Sequence, residues 1–276
     1  MRTHLVIPDT QVKPGVPTDH LGWIGRYILE KRPDVVVHVG DHWDMQSLSS
    51  HDKGTLRFEG RRYREDVDAG NAGMRQLRHP VEQFNYGRRR RGQDEYLPEW
   101  VLLFGNHEYR IERARQEYPW LDGMIGYHDL DTAGWQTFPF LTPVWVDGVA
   151  YSHFFANPNT GKPLGGVAST RLKNIGHSFT MGHQQTLDYA LRPVGPHMHH
   201  GLIAGAAYLA DEDYKGPQAN NHWRGIIIKH QVEDGSYDPS FISLDYLCRR
   251  YEGVRLQEFM AARYPDVVQH RWTAVV

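Results

Sequence analysis

The chain has 276 residues, 40% of them hydrophobic, enough to bury a substantial core and sized for a single domain over 1–276. A formal net charge of -2 excludes an all-over basic surface, so any nucleic-acid contact must come from a local patch. The one cysteine, Cys248, excludes an internal disulfide framework. The N-terminus lacks a signal-type apolar region and no run approaches the about 20 apolar residues of a membrane helix, so the expected location is cytoplasmic and no membrane partner is expected.

In chain order, Leu5 to Pro8 is a candidate first strand. Asp19 to Lys31 places Leu21, Ile24, Ile28 and Leu29 at helical spacing, and Pro33 stops that helix before the apolar run Val35 to Val39, a buried second strand. An insertion over 45–99 follows, with helical stretches, the cluster Arg57, Arg61, Arg62 and Arg64, and the run Arg88-Arg89-Arg90-Arg91. Val101 to Phe104 reads as a third strand, followed by a polar helix through Glu112 and Arg115 that ends near Pro119. Val144 to Val146, Val149 to Tyr151, Phe179 to Met181, Leu202 to Leu209 and Ile226 to Val232 read as later strands of a second, more antiparallel sheet. Gly148 and Asp234-Gly235 supply tight turns, and the stretch 256–276 reads as a terminal helix, Leu256 to Arg263, with a tail. The expected class is α/β, two sheets packed as a sandwich with helices on the outer faces.

Five polar clusters follow five of these strands: Asp9-Thr10-Gln11, Gly40-Asp41-His42-Trp43-Asp44, Gly105-Asn106-His107-Glu108, Ser152-His153 and Gly182-His183-Gln184-Gln185. The carboxyl ends of parallel strands share one edge, where residues far apart in sequence meet in a crevice. Carboxylates, an amide and imidazoles are the ligand types of a first-row divalent metal. The order of the clusters resembles the calcineurin-like metallophosphoesterases, whose pattern is Asp-x-His, Gly-Asp-x-x-Asp, Gly-Asn-His-Glu, a lone His and Gly-His-x-His. The resemblance runs from Asp9 to Gln185, about two thirds of the chain, and the text after Asp44 and over Asp211 to Trp223 resembles phosphoesterases encoded by bacteriophages, which would place the protein in host cytoplasm.

The resemblance implies a hydrolase with one or two divalent metals per chain. Asp41 would bridge the metals, Asn106, His153 and His183 would complete one site, and Asp9 would serve the other. A metal-bound hydroxide would attack phosphorus while His107, oriented by Asp44, protonates the leaving oxygen. Gln11 and Gln185 stand where the family has histidines serving that other site. As ligands they would give a harder, weaker site favouring Mn²⁺ or Mg²⁺ over Zn²⁺, so Mn²⁺ is the expected ion, with Mg²⁺ or Zn²⁺ as alternatives for the centre; equally, they could turn away and act as hydrogen-bond partners behind the ligands.

Met45 stands where family members acting on phosphoproteins have an arginine, which points towards diesters, and Arg88, Arg89, Arg90 and Arg91 are candidate contacts to a nucleic-acid backbone. A metal-dependent phosphodiesterase acting on nucleic acid is therefore the leading expectation. The alternatives are a phosphomonoesterase acting on a nucleotide or phosphoprotein, and a site that has lost turnover and only binds nucleic acid or protein. His197, His199 and His200 read as a polar turn after Pro196, His177 as a rim histidine, and Trp43 as either core or cleft wall.

Overall fold

The protein is described here from a computed structural model covering residues 1–50, 53–212, 215 and 219–267, with Arg57 described by its backbone alone. Two mixed sheets with helices make an α/β fold. The first sheet has the order β11 (Ser236–Ser243), β10 (Gly225–Glu233), β1 (Arg2–Ile7), β2 (Val35–His38), β3 (Glu99–Leu103), β4 (Gln136–Phe138). Strands β1 to β4 run parallel, and β10 joins β1 antiparallel, pairing His4 with Lys229 and Val6 with Ile227. The second sheet has the order β5 (Val144–Val146), β6 (Val149–Ser152), β7 (Phe179–Met181), β9 (His197–Ala204), β8 (Leu187–Val194), with β6, β7 and β9 parallel.

Side chains alternate across each strand, which sorts the core into layers. Val6, Val35, Val37, Val101 and Leu103 meet Val149, Tyr151, Leu202 and Ala204 between the sheets. Leu5, Ile7, Val36 and Leu102 face outward onto α1 (Asp19–Lys31), α2 (Tyr63–Arg90), α5 (Leu244–Glu252) and α6 (Leu256–Arg263). The outer face of the second sheet packs on α4 (Ala168–Ile175) through Leu172, Phe179 and Ile203. Fully buried Leu21, Ile24 and Ile28 of α1 contribute about 1.5–3 kcal/mol each. That helix ends as its composition dictates: Arg32 adopts a left-handed φ of 46° with its N–H on Ile28 O, and Pro33 follows.

Several expected elements are revised. Ile226 to Val232 belongs to the first sheet, because β10 buries both faces, with Ile226 and Ile228 under the helices and Ile227 between the sheets. The strand expected over Leu202 to Leu209 starts at His197 and ends at Ala204, so His197, His199 and His200 are strand residues and the turn precedes them at Gly195. His200 is buried, 2.7 Å from the Tyr189 hydroxyl. Much of the 45–99 insertion is the single helix α2. Residues 51, 52, 213, 214, 216–218 and the tail 268–276 lie outside the described residues. Among the described residues no helix is long and apolar enough to cross a membrane.

Two Asp-Gly turns, with positive φ at Asp147, Gly148, Asp234 and Gly235, close the β5–β6 and β10–β11 hairpins. They meet through Gly235 N–H on Asp147 O at 2.9 Å, tying the sheets together at the edge where β1 and β6 begin. The opposite edge, where β1, β2, β3, β6 and β7 end, is left to the polar clusters.

Candidate metal centre

The loops after β1 and β2 are stitched together by Gln11 N–H on Asp41 O at 2.9 Å, Val12 N–H on His42 O at 2.7 Å and Asp44 N–H on Val12 O at 3.0 Å. Glu108, fully buried, holds the second loop against the third. Its carboxylate accepts backbone N–H groups from Asp41 (3.0 Å), His42 (2.6 Å), Trp43 (3.0 Å) and Gly105 (2.7 Å). Burial and the negative charge of Asp41 push this carboxyl upward, while the amide donors oppose them. Beneath the loops, Thr10 Oγ1 lies 3.1 Å from His38 Nε2 and 2.8 Å from His42 Nδ1, and His42 Nε2 donates to Gly70 O at 2.9 Å. Trp43 is fully buried with its indole N–H on Asn71, so it is core.

Asp41, His153 and His183 bring ligand atoms within 4.8 Å of one another, a group that could hold a metal ion. Asn106 Oδ1 joins them, 2.9 Å from His153 Nε2 and 2.7 Å from His183 Nδ1. The tautomer of His153 makes the chemistry specific. Its Nδ1 lies 2.9 Å from Val39 O, a pure acceptor, so Nδ1 carries the proton in the neutral ring. The lone pair on Nε2 then faces Asn106 Oδ1 and, at 3.3 Å, Asp41 Oδ2. Electron pairs on three groups converge, which calls for a cation between them. Without a metal a proton meets the demand: despite burial, the carboxylates of Asp41 and Asp9 raise His153 to about 9. His183, by contrast, is lowered to about 4 by burial and by His153.

Asp9 stands beside this group. Its Oδ1 accepts the His183 N–H at 3.1 Å, and its Oδ2 is buried with no partner among the described residues. Burial, reinforced by the charge of Asp41, raises it to about 7, and His153 and His107 only partly oppose that rise. Close approach of the loops requires glycine: a Cβ on Gly105 would collide with the Asp41 carboxylate, and one on Gly182 with that of Asp9. The non-glycine residues with left-handed φ include Gln11 (43°), Asp41 (55°), Met45 (50°), His183 (66°) and Gln185 (62°), which concentrates backbone strain in these loops.

His107 lies against the cluster, Nε2 being 3.7 Å from Asp41 Oδ2 and Nδ1 2.7 Å from Asp44 Oδ1. Burial opposes its charge, yet Asp41 and Asp44 outweigh burial and raise it. Asp44 is held low against burial by Lys13, 3.1 Å from Oδ2, and by His107. The sequence reading missed Arg110. One helical turn beyond His107 at the start of α3 (Tyr109–Glu117), its Nη2 lies 3.1 Å from His107 Nε2 and its Nη1 donates to Asp44 O at 2.7 Å. The i,i+3 spacing was the available signal. Met45 therefore does not leave the site without a guanidinium.

The glutamines part company. Gln185 Oε1 is taken by the Tyr208 hydroxyl at 3.0 Å and by Lys215 Nζ. Gln11 is buried beside Asp41 with its Nε2 unpartnered among the described residues. The run Arg88 to Arg91 is not brought to the crevice. It closes α2 beside Asn85, whose side chain pairs with the Tyr96 backbone, and the Tyr96 hydroxyl reaches Pro33 O ahead of β2. Eighteen residues separate Arg88 from Gly70, the point where α2 touches His42, so the run lies about 27 Å along the helix from the clusters. Arg61, by contrast, donates to Gln46 O at the crevice end. His177 packs against Trp145, the ring centroids 4.3 Å apart, outside the cluster.

No protein-family model and no curated protein matches the chain. Of the solved structures that match, a crystal structure is similar at 14% identity over 88% of this chain and 99% of its own, with a TM-score of 0.33, too loose a likeness to carry an argument.

Proposed function

We propose that this protein is a metal-dependent phosphoesterase of the calcineurin-like architecture, with phosphodiesters of nucleic acid as its substrates. The observation that carries the reading is the convergence of the Asp41, Asn106 and His153 electron pairs, with His183 in the same group and His107 beside it. The donor set fits a first-row divalent ion: one carboxylate, one amide oxygen and two imidazoles, with Mn²⁺ the ion to try first and Mg²⁺ or Zn²⁺ the alternatives. When bound, such an ion supplies Lewis acidity, lowering the pKa of a water and offsetting charge on phosphate.

The remaining work falls to the chain. Asp44 fixes the imidazole of His107 through Nδ1, which leaves Nε2 to face the leaving oxygen. Arg110 Nη2 lies 3.1 Å from that Nε2. A phosphate oxygen is the better acceptor and draws the guanidinium away, freeing Nε2 to carry the proton that the departing alkoxide needs. Arg61, Arg62 and Arg64, at the start of α2 and near the crevice, replace Arg88 to Arg91 as the backbone-contacting group.

Arg110 also favours a second reading, a phosphomonoesterase, because a guanidinium beside the acid suits a doubly charged terminal phosphate. Cleavage of linear, circular and single-stranded DNA with Mn²⁺, Mg²⁺ or Zn²⁺, run beside aryl phosphate mono- and diesters and repeated with Asp41→Ala and His107→Ala, tests both. DNA cleavage lost in both variants supports the nuclease. Monoester hydrolysis alone supports the second reading, and salt-sensitive DNA retention without turnover refutes both.

A further inference from the structure

The Asp9 side of the crevice has a cation of the protein's own. Lys215 Nζ hydrogen-bonds Gln185 Oε1 and lies 3.4 Å from the Tyr208 hydroxyl, which itself donates to Gln185 Oε1 at 3.0 Å. Burial lowers Lys215 from the usual lysine range, and the carboxylates of Glu212 and Asp9 oppose that and favour its charge. Gln185 thus offers its one metal-capable atom to an ammonium, where an imidazole would offer a lone pair to a metal. Among the described residues, carboxylate and imidazole ligand atoms gather at Asp41, His153 and His183, and Asp9 is not part of that group.

We propose that Lys215 takes the place of a second metal ion: the centre holds one divalent ion on the Asp41–His153–His183 side, and the Lys215 ammonium supplies the positive charge on the Asp9 side that grips a phosphate oxygen. The inference rests on the phosphoesterase reading. Two features support it beyond the contact. A second divalent ion beside Asp9 would be repelled by an ammonium that Gln185 and Tyr208 hold in place. Lys13 pairs with Asp44 at 3.1 Å and Glu212 at 2.8 Å, which assigns its charge to the Asp44 side of the crevice. An ammonium, a compact and strongly hydrated point charge, is suited to a single phosphate oxygen.

The test is Mn²⁺ titration of the full-length protein by calorimetry and metal analysis, with the electron paramagnetic resonance of the loaded protein and its affinity for inorganic phosphate. One Mn²⁺ per chain with an uncoupled six-line spectrum is expected. Lys215→Met should keep that stoichiometry while phosphate binds about tenfold more weakly, the loss of one charge-assisted hydrogen bond, and Lys215→Arg should recover most of the affinity. Two Mn²⁺ per chain with an exchange-coupled spectrum, or unchanged phosphate affinity in Lys215→Met, overturns the inference and leaves the phosphoesterase reading standing. Failure of wild type to bind Mn²⁺ any better than Asp41→Asn removes that reading and the inference with it.

Discussion

Replacing Glu108 with alanine removes the acceptor of four buried backbone N–H groups, those of Asp41, His42, Trp43 and Gly105. A buried donor left without a partner costs about 1–3 kcal/mol, so at the lower figure Glu108→Ala loses about 4 kcal/mol. Glu108→Gln keeps one oxygen, and each carboxylate oxygen serves two of the four donors, so the amide should lose about half as much, roughly 2 kcal/mol. At this chain length the alanine variant should melt about 8–16 °C lower. The measurement is urea unfolding in the presence of a chelator, so that metal binding to the native state does not mask the loss. An alanine variant within about 1 kcal/mol of wild type, or a glutamine variant as damaged as the alanine one, would refute the assignment of Glu108 as the brace of these loops.

Other predictions concern chemistry, pH and binding. His107→Ala should slow hydrolysis of a diester with an alkoxide leaving group about 10²–10⁴-fold but affect a nitrophenyl ester far less, and Asp44→Asn should share that selectivity; equal losses on both substrates would remove His107 as the acid. Burial holds His4 at about 4, with Asp147 and Tyr151 each 2.7 Å away, so the unfolded chain takes up a proton below pH 6.5 that the folded chain refuses. Stability should therefore fall as pH drops from about 6.5 to 4, with up to about 3 kcal/mol of the fall due to His4, and His4→Gln should flatten the profile of urea midpoints. Serine at Arg88, Arg89, Arg90 and Arg91 together should leave DNA cleavage and its salt dependence unchanged, whereas serine at Arg61, Arg62 and Arg64 should weaken DNA binding. The reverse result, read by fluorescence anisotropy across a salt series, would return the basic path to the far end of α2.

The parts of the fold that sequence reading reached are those with strong periodicity and clear stops. Asp19 to Lys31 is helical to the residue because Leu21, Ile24 and Ile28 share a face and Pro33 ends the pattern. Edge elements escaped it: β4 and most of β8 are exposed or half-buried and carry no apolar pattern, and β11 contains Pro239. The sheet to which β10 belongs depends on pairing with β1 across the whole chain, which no local window contains. At the crevice, Asp41, Asn106, His153 and His183 were legible because each follows a strand. Arg110, Lys13 and Lys215 were not, because a long cation can be aimed at the site from a helix or loop whose own pattern is ordinary. The arginine run misled because length along a helix is distance: about 1.5 Å per residue carried it away from the motif it followed in sequence.

The left-handed residues that line the crevice bear on how this protein would respond to selection. Glycine relieves positive φ at Gln11 or Gln185 at the expense of a side chain beside the centre. A library screened only for resistance to heat should therefore accumulate changes at these positions and emerge more robust but inert, whereas one screened for turnover should retain them and find its stabilising changes in the outer helices.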